Sequence, residues 1–432
     1  MGASVPADGD LNPFIRFRRL SASWAFAQQR GLSDGDYVEL VDRLDGAVAE
    51  VDGHGLRVTP WRVATRATNR LGLSPDGLWI KDETGQAAGS HKARHLFGIA
   101  LYLAVAERTG AIGAADSARP FAIASCGNAA LAAAVVARAT GRPLQVFVPP
   151  WADAVVMDRL KSLDASIVIC ERRETDLPGD PCHHRFREAV EGGALPFCCQ
   201  GSDNGLTIDG GMTLGFELAL QSAEAPLDHL LVQVGGGALA SALTQGLTWA
   251  QASGDLPRLP ALHAVQTAGG FPLIRAWRRV ARALVKDLGG SVTPGADVAV
   301  DDDAARADAG AARWIAAHAD KAALEHAVVA AALNRAAFMW AWEQEPASAA
   351  TGILDDETYD WLAIVRGMLL SGGWPVVASE PNVLEAWCEG RGEGVLVCAT
   401  GTAGLAGAMS LSQAGLLDPH HRVGVLFTGV DR

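Results

Sequence analysis

From about residue 121 onward the chain alternates short apolar runs with longer stretches whose apolar residues recur at helical spacing. The runs are Phe121–Ala124, Leu144–Val148, Ser166–Cys170, Leu230–Val234, Ala261–Gln266, Val376–Ser379, Val395–Cys398 and Val423–Phe427. They are short and apolar at successive positions, the pattern of strands covered on both faces. Helices between such strands imply parallel pairing through right-handed crossovers, which predicts an α/β fold of twisted, mainly parallel sheets covered by helices. Two charge-free stretches, Leu230–Gly254 and Val395–Leu417, are long enough to raise membrane insertion. Both contain glycine clusters with Thr, Ser or Gln, so each reads instead as a buried strand, a tight loop and an apolar helix.

Two regions depart from the alternation. Asn12–Arg30 reads as an arginine- and aromatic-rich helix, and Ser33-Asp34-Gly35-Asp36 as the cap of a second over Tyr37–Ala49, together an arm over the main body. Between Phe271 and Leu370, Asp301-Asp302-Asp303 opens an Ala/Asp-rich stretch followed by helices through Trp342 and Trp361. This region is expected to be a helical elaboration that serves assembly.

At 432 residues, with 49% hydrophobic and 20% charged positions, the chain suits a globular protein of two lobes. A net charge of −13 argues against nonspecific nucleic-acid binding, which draws its affinity from basic side chains. Seven cysteines without regular spacing suggest reduced thiols and a cytoplasmic location. Cys198-Cys199 and Cys182-His183-His184 are poorly spaced for one tetrahedral ion, so no metal site is expected. Met1–Asp10 lacks the regions of an export signal, and Pro6 spoils the acylation pattern begun by Gly2, so no membrane association is expected.

Three stretches carry candidate chemistry. Gly77-Leu78-Trp79-Ile80 is strand-like, small flexible residues follow, and an apolar helical pattern begins at Ala93. Lys92 therefore stands at a strand-to-helix transition, where the positive end of the helix dipole favours a neutral amine able to attack an aldehyde. Ser125-Cys126-Gly127-Asn128 lies between the run Phe121–Ala124 and the next helix, an arrangement suited to binding a carboxylate. Gly235-Gly236-Gly237-Ala238-Leu239 likewise joins a buried strand to an apolar helix and offers backbone N–H groups to a phosphate. Gly235, Gly237 and Ala240 also satisfy a dinucleotide fingerprint, but the next strand ends at Gln266 instead of the acidic residue that fingerprint needs.

The pattern Lys81-x-Glu83 followed by Gly89-Ser90-x-Lys92-x-Arg94 resembles the Schiff-base segment of pyridoxal-phosphate enzymes of the tryptophan-synthase-β type, fold type II. Thr59-Pro60 and Asp209-Gly210-Gly211-Met212-Thr213-Leu214-Gly215-Phe216-Glu217 are similar to further segments of that family. The resemblance implies Lys92 as catalytic lysine and cofactor attachment, and Asn128 beside the cofactor's phenolic oxygen. It makes Gly235, Gly236, Gly237, Ala238 and Leu239 the phosphate cradle. Ser125, Cys126 and Gly127, with Ser90 and His91, become the substrate-binding set. Thr428, or alternatively Thr400, faces the pyridine nitrogen, a hydroxyl partner that leaves this nitrogen largely unprotonated. His91 replaces the family's usual Phe, and Cys126 replaces the serine of racemising relatives.

The implied domains are a large one of 1–92 and 205–432, with the insertion at about 271–370, and a small one of 93–204. The expected reaction is β-elimination from a hydroxy-amino acid such as L-threonine or L-serine, giving a 2-oxo acid and ammonia, in a homodimer. In it the amino acid displaces Lys92, which then removes the α-proton. β- or γ-replacement and a catalytically silent cofactor-binding regulator are the alternatives, and a nicotinamide oxidoreductase is the reading that the fingerprint would support.

Overall fold

A computed structural model describes residues 5, 9–176 and 179–432; the expectations attached to Gly2 and Pro6 lie outside the described residues. Among these, ten strands form two sheets: β1 (Trp61–Val63), β2 (Leu78–Asp82), β3 (Phe121–Ala124), β4 (Leu144–Val148), β5 (Ser166–Ile169), β6 (Leu195–Pro196), β7 (His229–Gln233), β8 (Ala261–Thr267), β9 (Val376–Ala378) and β10 (Val423–Phe427). One sheet has the order β1-β2-β10-β7-β8-β9 and the other β5-β4-β3-β6. All pairs are parallel except β1 with β2. This is the helix-covered, mainly parallel α/β architecture that the apolar runs predict.

Packing divides the chain into two units. One holds the described residues up to Thr59, Gly85–Glu217 and Arg432; the other holds Pro60–Thr84 and Leu218–Asp431. The arm thus packs with the unit of the Lys92 helix, whereas the sequence expectation counted it with 205–432. Its helix Asp34–Asp52 explains why. A capping box between Ser33 and Asp36 starts it, Gly53 ends it in the left-handed region at φ 92°, and Tyr37, Leu40, Val41, Leu44 and Val48 form one buried stripe. Each such side chain, once buried, contributes roughly 1.5–3 kcal/mol. The stripe faces the helix Asn128–Thr140, whose Ala130–Ala137 are all buried and whose small side chains also admit the helix Lys92–Arg108.

Asn12–Arg30 is not one helix. Asn12 caps Pro13–Arg16, a tight turn Arg18–Leu20 follows, and Ser21 accepts from Trp24 N–H to start Ala22–Gln29. A side chain that caps here interrupts the ladder that a continuous helix would need.

In the other unit β7 and β10 are buried at every position. The insertion contributes the helices Pro272–Asp287, Asp302–His318, Lys321–Leu333 and Trp361–Ser371. Arg278 and Asp308, each 1% exposed, pair at 2.7 Å inside it. Trp342, expected within a helix, lies in irregular chain, with the guanidinium of Arg275 4.9 Å from its ring centre and 3.9 Å from that of Trp340. Val395–Cys398 also departs from expectation: it makes a single bridge, Val397 to Val430, while Leu396 points outward at 55% exposure. No helix among the described residues is long and apolar enough to cross a membrane.

Candidate active site

Lys92 is the first residue of its helix. The approach to it is a pinned turn. Gln86 exchanges hydrogen bonds with the backbone of Arg57, accepting from its N–H at 3.0 Å and donating to its carbonyl at 2.8 Å. Ala88 N–H donates to Asp52 at 2.7 Å while Ala88 itself sits at φ 55°, a conformation a non-glycine residue holds only when its surroundings enforce it. Ser90 Oγ is buried without a hydrogen-bond partner among the described residues. Lys92, half-buried, has neither a hydrogen bond nor an ion pair among them. One turn on, His95 is fully buried and donates to the Thr207 carbonyl at 2.7 Å. Burial first, and the charge of Lys92 second, push its pKa down to about 3, so His95 is a neutral imidazole beside the amine.

Arg94 fixes the first turn of this helix. Its guanidinium meets Glu217 at 2.6 Å and Thr213 at 3.2 Å, and reaches Thr59 Oγ1 at 3.4 Å; Glu217 in turn accepts from Thr59 N–H at 3.1 Å. Three segments that carry the family resemblance, around Thr59, Arg94 and Thr213 to Glu217, thus meet in one buried polar cluster. The glycines of the third segment lie inside the helix Leu206–Gln221, not in a turn before it. A Cβ on Gly98 would come 2.6 Å from Gly210 Cα, so these two glycines let the helices touch.

The Ser125–Asn128 turn belongs to the same unit. It leaves β3, Ser125 N–H donates to the Phe147 carbonyl at 3.2 Å, and the helix opens at Asn128 without a side-chain cap. Its first N–H groups are thereby left for a ligand. Asn128 Oδ1 accepts from Arg432, whose other terminal nitrogen donates to the Ala88 carbonyl at 2.5 Å, so one guanidinium ties the asparagine turn to the turn before Lys92.

The remaining candidates belong to the other unit. Gly237, at φ 103°, precedes the helix Ala238–Ser253, which also begins without a side-chain cap. The turn is packed by residues 353–364. A Cβ on Gly235 would collide with the Asp355 carboxylate, and one on Gly236 would lie 3.0 Å from the Tyr359 ring and 3.5 Å from Asp355 Oδ1. Thr428 is buried, and its hydroxyl accepts from Gln233 Nε2 at 2.8 Å; the same amide reaches the Gly401 carbonyl at 2.8 Å. Thr400 accepts from Gly352 N–H at 2.9 Å. Sequence reasoning missed Asp355 and Arg432, because an aspartate in unpatterned chain and a surface arginine carry no local signal.

Residues 54–338 match a family model described as pyridoxal-phosphate dependent enzyme. The biosynthetic L-threonine dehydratase IlvA of Haemophilus influenzae is 26% identical over 209 residues, which span 48% of this chain and 36% of that protein. The human L-serine dehydratase/L-threonine deaminase is 29% identical over 262 residues, 55% of this chain and 70% of that protein. Among solved structures, the processed form of threonine deaminase isoform 2 from Solanum lycopersicum superposes with a TM-score of 0.59 at 14% identity, over 93% of this chain and 91% of that one. Maize serine racemase gives 0.58 at 18% identity, over 91% and 93%.

Proposed function

Since the chain belongs to the pyridoxal-phosphate dependent enzymes, we propose that it is a lyase of the threonine/serine dehydratase kind, releasing a 2-oxo acid and ammonia from a β-hydroxy amino acid. The observation that carries this reading is Lys92, an amine at a helix start without a hydrogen bond or ion pair among the described residues, next but one to Ser90, whose buried hydroxyl has no partner among them either. The donor set suits the cofactor. Lys92 would hold its aldehyde, Asn128 its phenolic oxygen, Gly235–Leu239 its phosphate, and Thr428 or Thr400 its ring nitrogen. The glycine turn has the required chemistry, an uncapped helix start stripped of Cβ atoms.

When bound, the cofactor supplies an electron-accepting ring that stabilises negative charge on a substrate's α-carbon. The chain's own groups do the rest. The Ser125–Gly127 turn and the N–H groups at the start of the following helix would bind the carboxylate, with Ser90 and His91 completing the substrate-binding set. Lys92 Nζ takes the α-proton, and the neutral His95 adds no cation to its surroundings. The β-hydroxyl departs as water with the proton that Lys92 Nζ has taken, and hydrolysis of the resulting enamine by a second water releases the oxo acid and ammonia. Two relatives found by sequence are dehydratases, which favours elimination over replacement. The proposed working form is a cytoplasmic homodimer, which light scattering of the purified protein tests.

The functional test is an absorbance spectrum before and after borohydride, with peptide mapping, followed by oxo-acid detection with L-serine and L-threonine. A borohydride-stable cofactor adduct on Lys92 together with oxo acid supports the reading. An adduct without oxo acid points to replacement chemistry, and no adduct on Lys92 refutes the assignment.

A further inference from the structure

The turn that would take the cofactor phosphate already faces an anion of this chain. The Asp355 carboxylate lies against Gly235 and Gly236, its Oδ2 where a Cβ of Gly235 would be and its Oδ1 3.5 Å from that of Gly236. Ile353 Cα stands 2.9 Å from the Gly235 Cβ position, Thr358 Cγ2 3.1 Å and Ile364 Cδ1 2.7 Å from that of Gly237. The segment is also bonded to the turn's backbone, since Asp360 N–H donates to the Gly236 carbonyl at 2.9 Å.

This contact is fastened at both flanks. Gly352 N–H donates to Thr400 at 2.9 Å, the Asp356 carbonyl accepts from Trp342 N–H at 2.8 Å, Thr358 accepts from Gln266 at 3.3 Å, and Glu357 pairs with Arg335. The ties sit within one unit, so the contact does not depend on how the two units are arranged. An uncapped helix start behind three glycines attracts negative charge, and the Asp355 carboxylate lies beside the first two of those glycines. A phosphate monoester brings a larger negative charge to this turn, and it cannot share the space with a carboxylate.

We infer that residues Thr351–Asp360 form a strap whose Asp355 carboxylate occupies the anion turn Gly235–Gly237 and must swing out before a phosphorylated ligand binds there. The inference rests on the assignment of that turn to the cofactor phosphate, and it adds a gate on loading. Apparent affinity is then the intrinsic affinity reduced by the fraction of molecules with the strap open. A strap closed in all but about a tenth of molecules weakens binding about tenfold.

The test uses deoxypyridoxine phosphate, which carries the ring and the phosphate but no aldehyde, so its binding needs no reaction at Lys92. Titration of cofactor-stripped full-length protein is followed by tryptophan fluorescence for wild type, Asp355→Asn and Asp355→Ala, with far-ultraviolet circular dichroism confirming that each is folded. Both variants are expected to bind about tenfold tighter than wild type. Hydrogen exchange on wild type gives an independent reading that requires no variant: the peptide covering 351–360 is expected to exchange faster once the ligand is bound. Affinities within twofold of wild type, no binding by any of the three proteins, or unchanged exchange on binding would each overturn the strap. Ligand binding that is tighter in the variants, with no adduct on Lys92, would sink the lyase reading alone, whereas an adduct on Lys92 with unchanged affinities would sink the strap alone.

Discussion

Removing one partner from the Arg94–Glu217 pair is expected to be among the most damaging single changes in the unit that carries Lys92. Both side chains are enclosed, at 0% and 1% exposure, and meet at 2.6 Å. Arg94→Met keeps the aliphatic stem but takes the guanidinium away from the buried Glu217 carboxylate, at a cost of about 3–5 kcal/mol. Glu217→Leu strands the guanidinium at a similar cost, and it also removes the acceptor of Thr59 N–H, worth about 1–3 kcal/mol more. The double variant Arg94→Met/Glu217→Leu removes both charges at once, so it should be no less stable than the milder single. The assay is urea unfolding of the four proteins at one pH, compared by midpoint and slope. A double variant whose loss equals the sum of the two singles, within about 0.5 kcal/mol, would refute a coupled buried pair.

Acid sensitivity should follow from the buried imidazoles. The folded-state pKa of His95 lies at about 3 and that of His229 at about 4, both below the ordinary 6.5 because burial opposes the charged form. The unfolded chain therefore binds protons first, so the contribution is complete above about pH 6.5 and is lost as pH falls, at up to about 1.4 kcal/mol per pH unit per histidine. Equilibrium unfolding from pH 7 to 4 checks this, and His95→Gln, which keeps a donor for Thr207, should flatten the slope. Gly98→Ala and Gly210→Ala should each cost about 1–3 kcal/mol, because the added methyl meets backbone that cannot move aside; a thermal melt unchanged by either would contradict the close helix contact. Lys92→Ala should abolish both the borohydride-stable adduct and oxo-acid formation while leaving the melting transition of the cofactor-free protein near that of wild type, as expected for a side chain without a hydrogen bond or ion pair among the described residues.

What the sequence makes legible is what local pattern encodes. β7 and β10 announce themselves because burial on both faces demands continuous apolar residues. Val395–Cys398 has the same look, yet among the described residues it makes a single bridge, Val397 to Val430, and no strand, since an apolar run cannot say whether a neighbouring strand exists. The turns at Ser125–Asn128 and Gly235–Gly237 are readable from glycines between a strand and a helix. The left-handed Ala88 is not, because alanine ordinarily avoids that conformation and only its tertiary surroundings hold it there. Arg94 and Glu217 are 123 positions apart, and nothing local in either segment names the other as partner. Asp355 is hidden for the same reason: its significance is the turn it reaches, and its own neighbourhood has no periodicity to interpret.

The place of β10 has a consequence for how the chain comes to be folded. This strand, Val423–Phe427, is inserted between β2 and β7, pairing with Leu78–Asp82 on one side and His229–Leu231 on the other. Until it is made, β2 and β7 cannot be neighbours, and the six-stranded sheet exists as two halves with bare inner edges. The four-stranded sheet, by contrast, needs nothing beyond Pro196. On the ribosome the smaller sheet can therefore form early, while the larger one waits for the last strand and closes contacts of very long sequence separation, a slow step. A nascent chain stalled before Val423 would expose two apolar strand edges, the state in which this protein is most prone to aggregate.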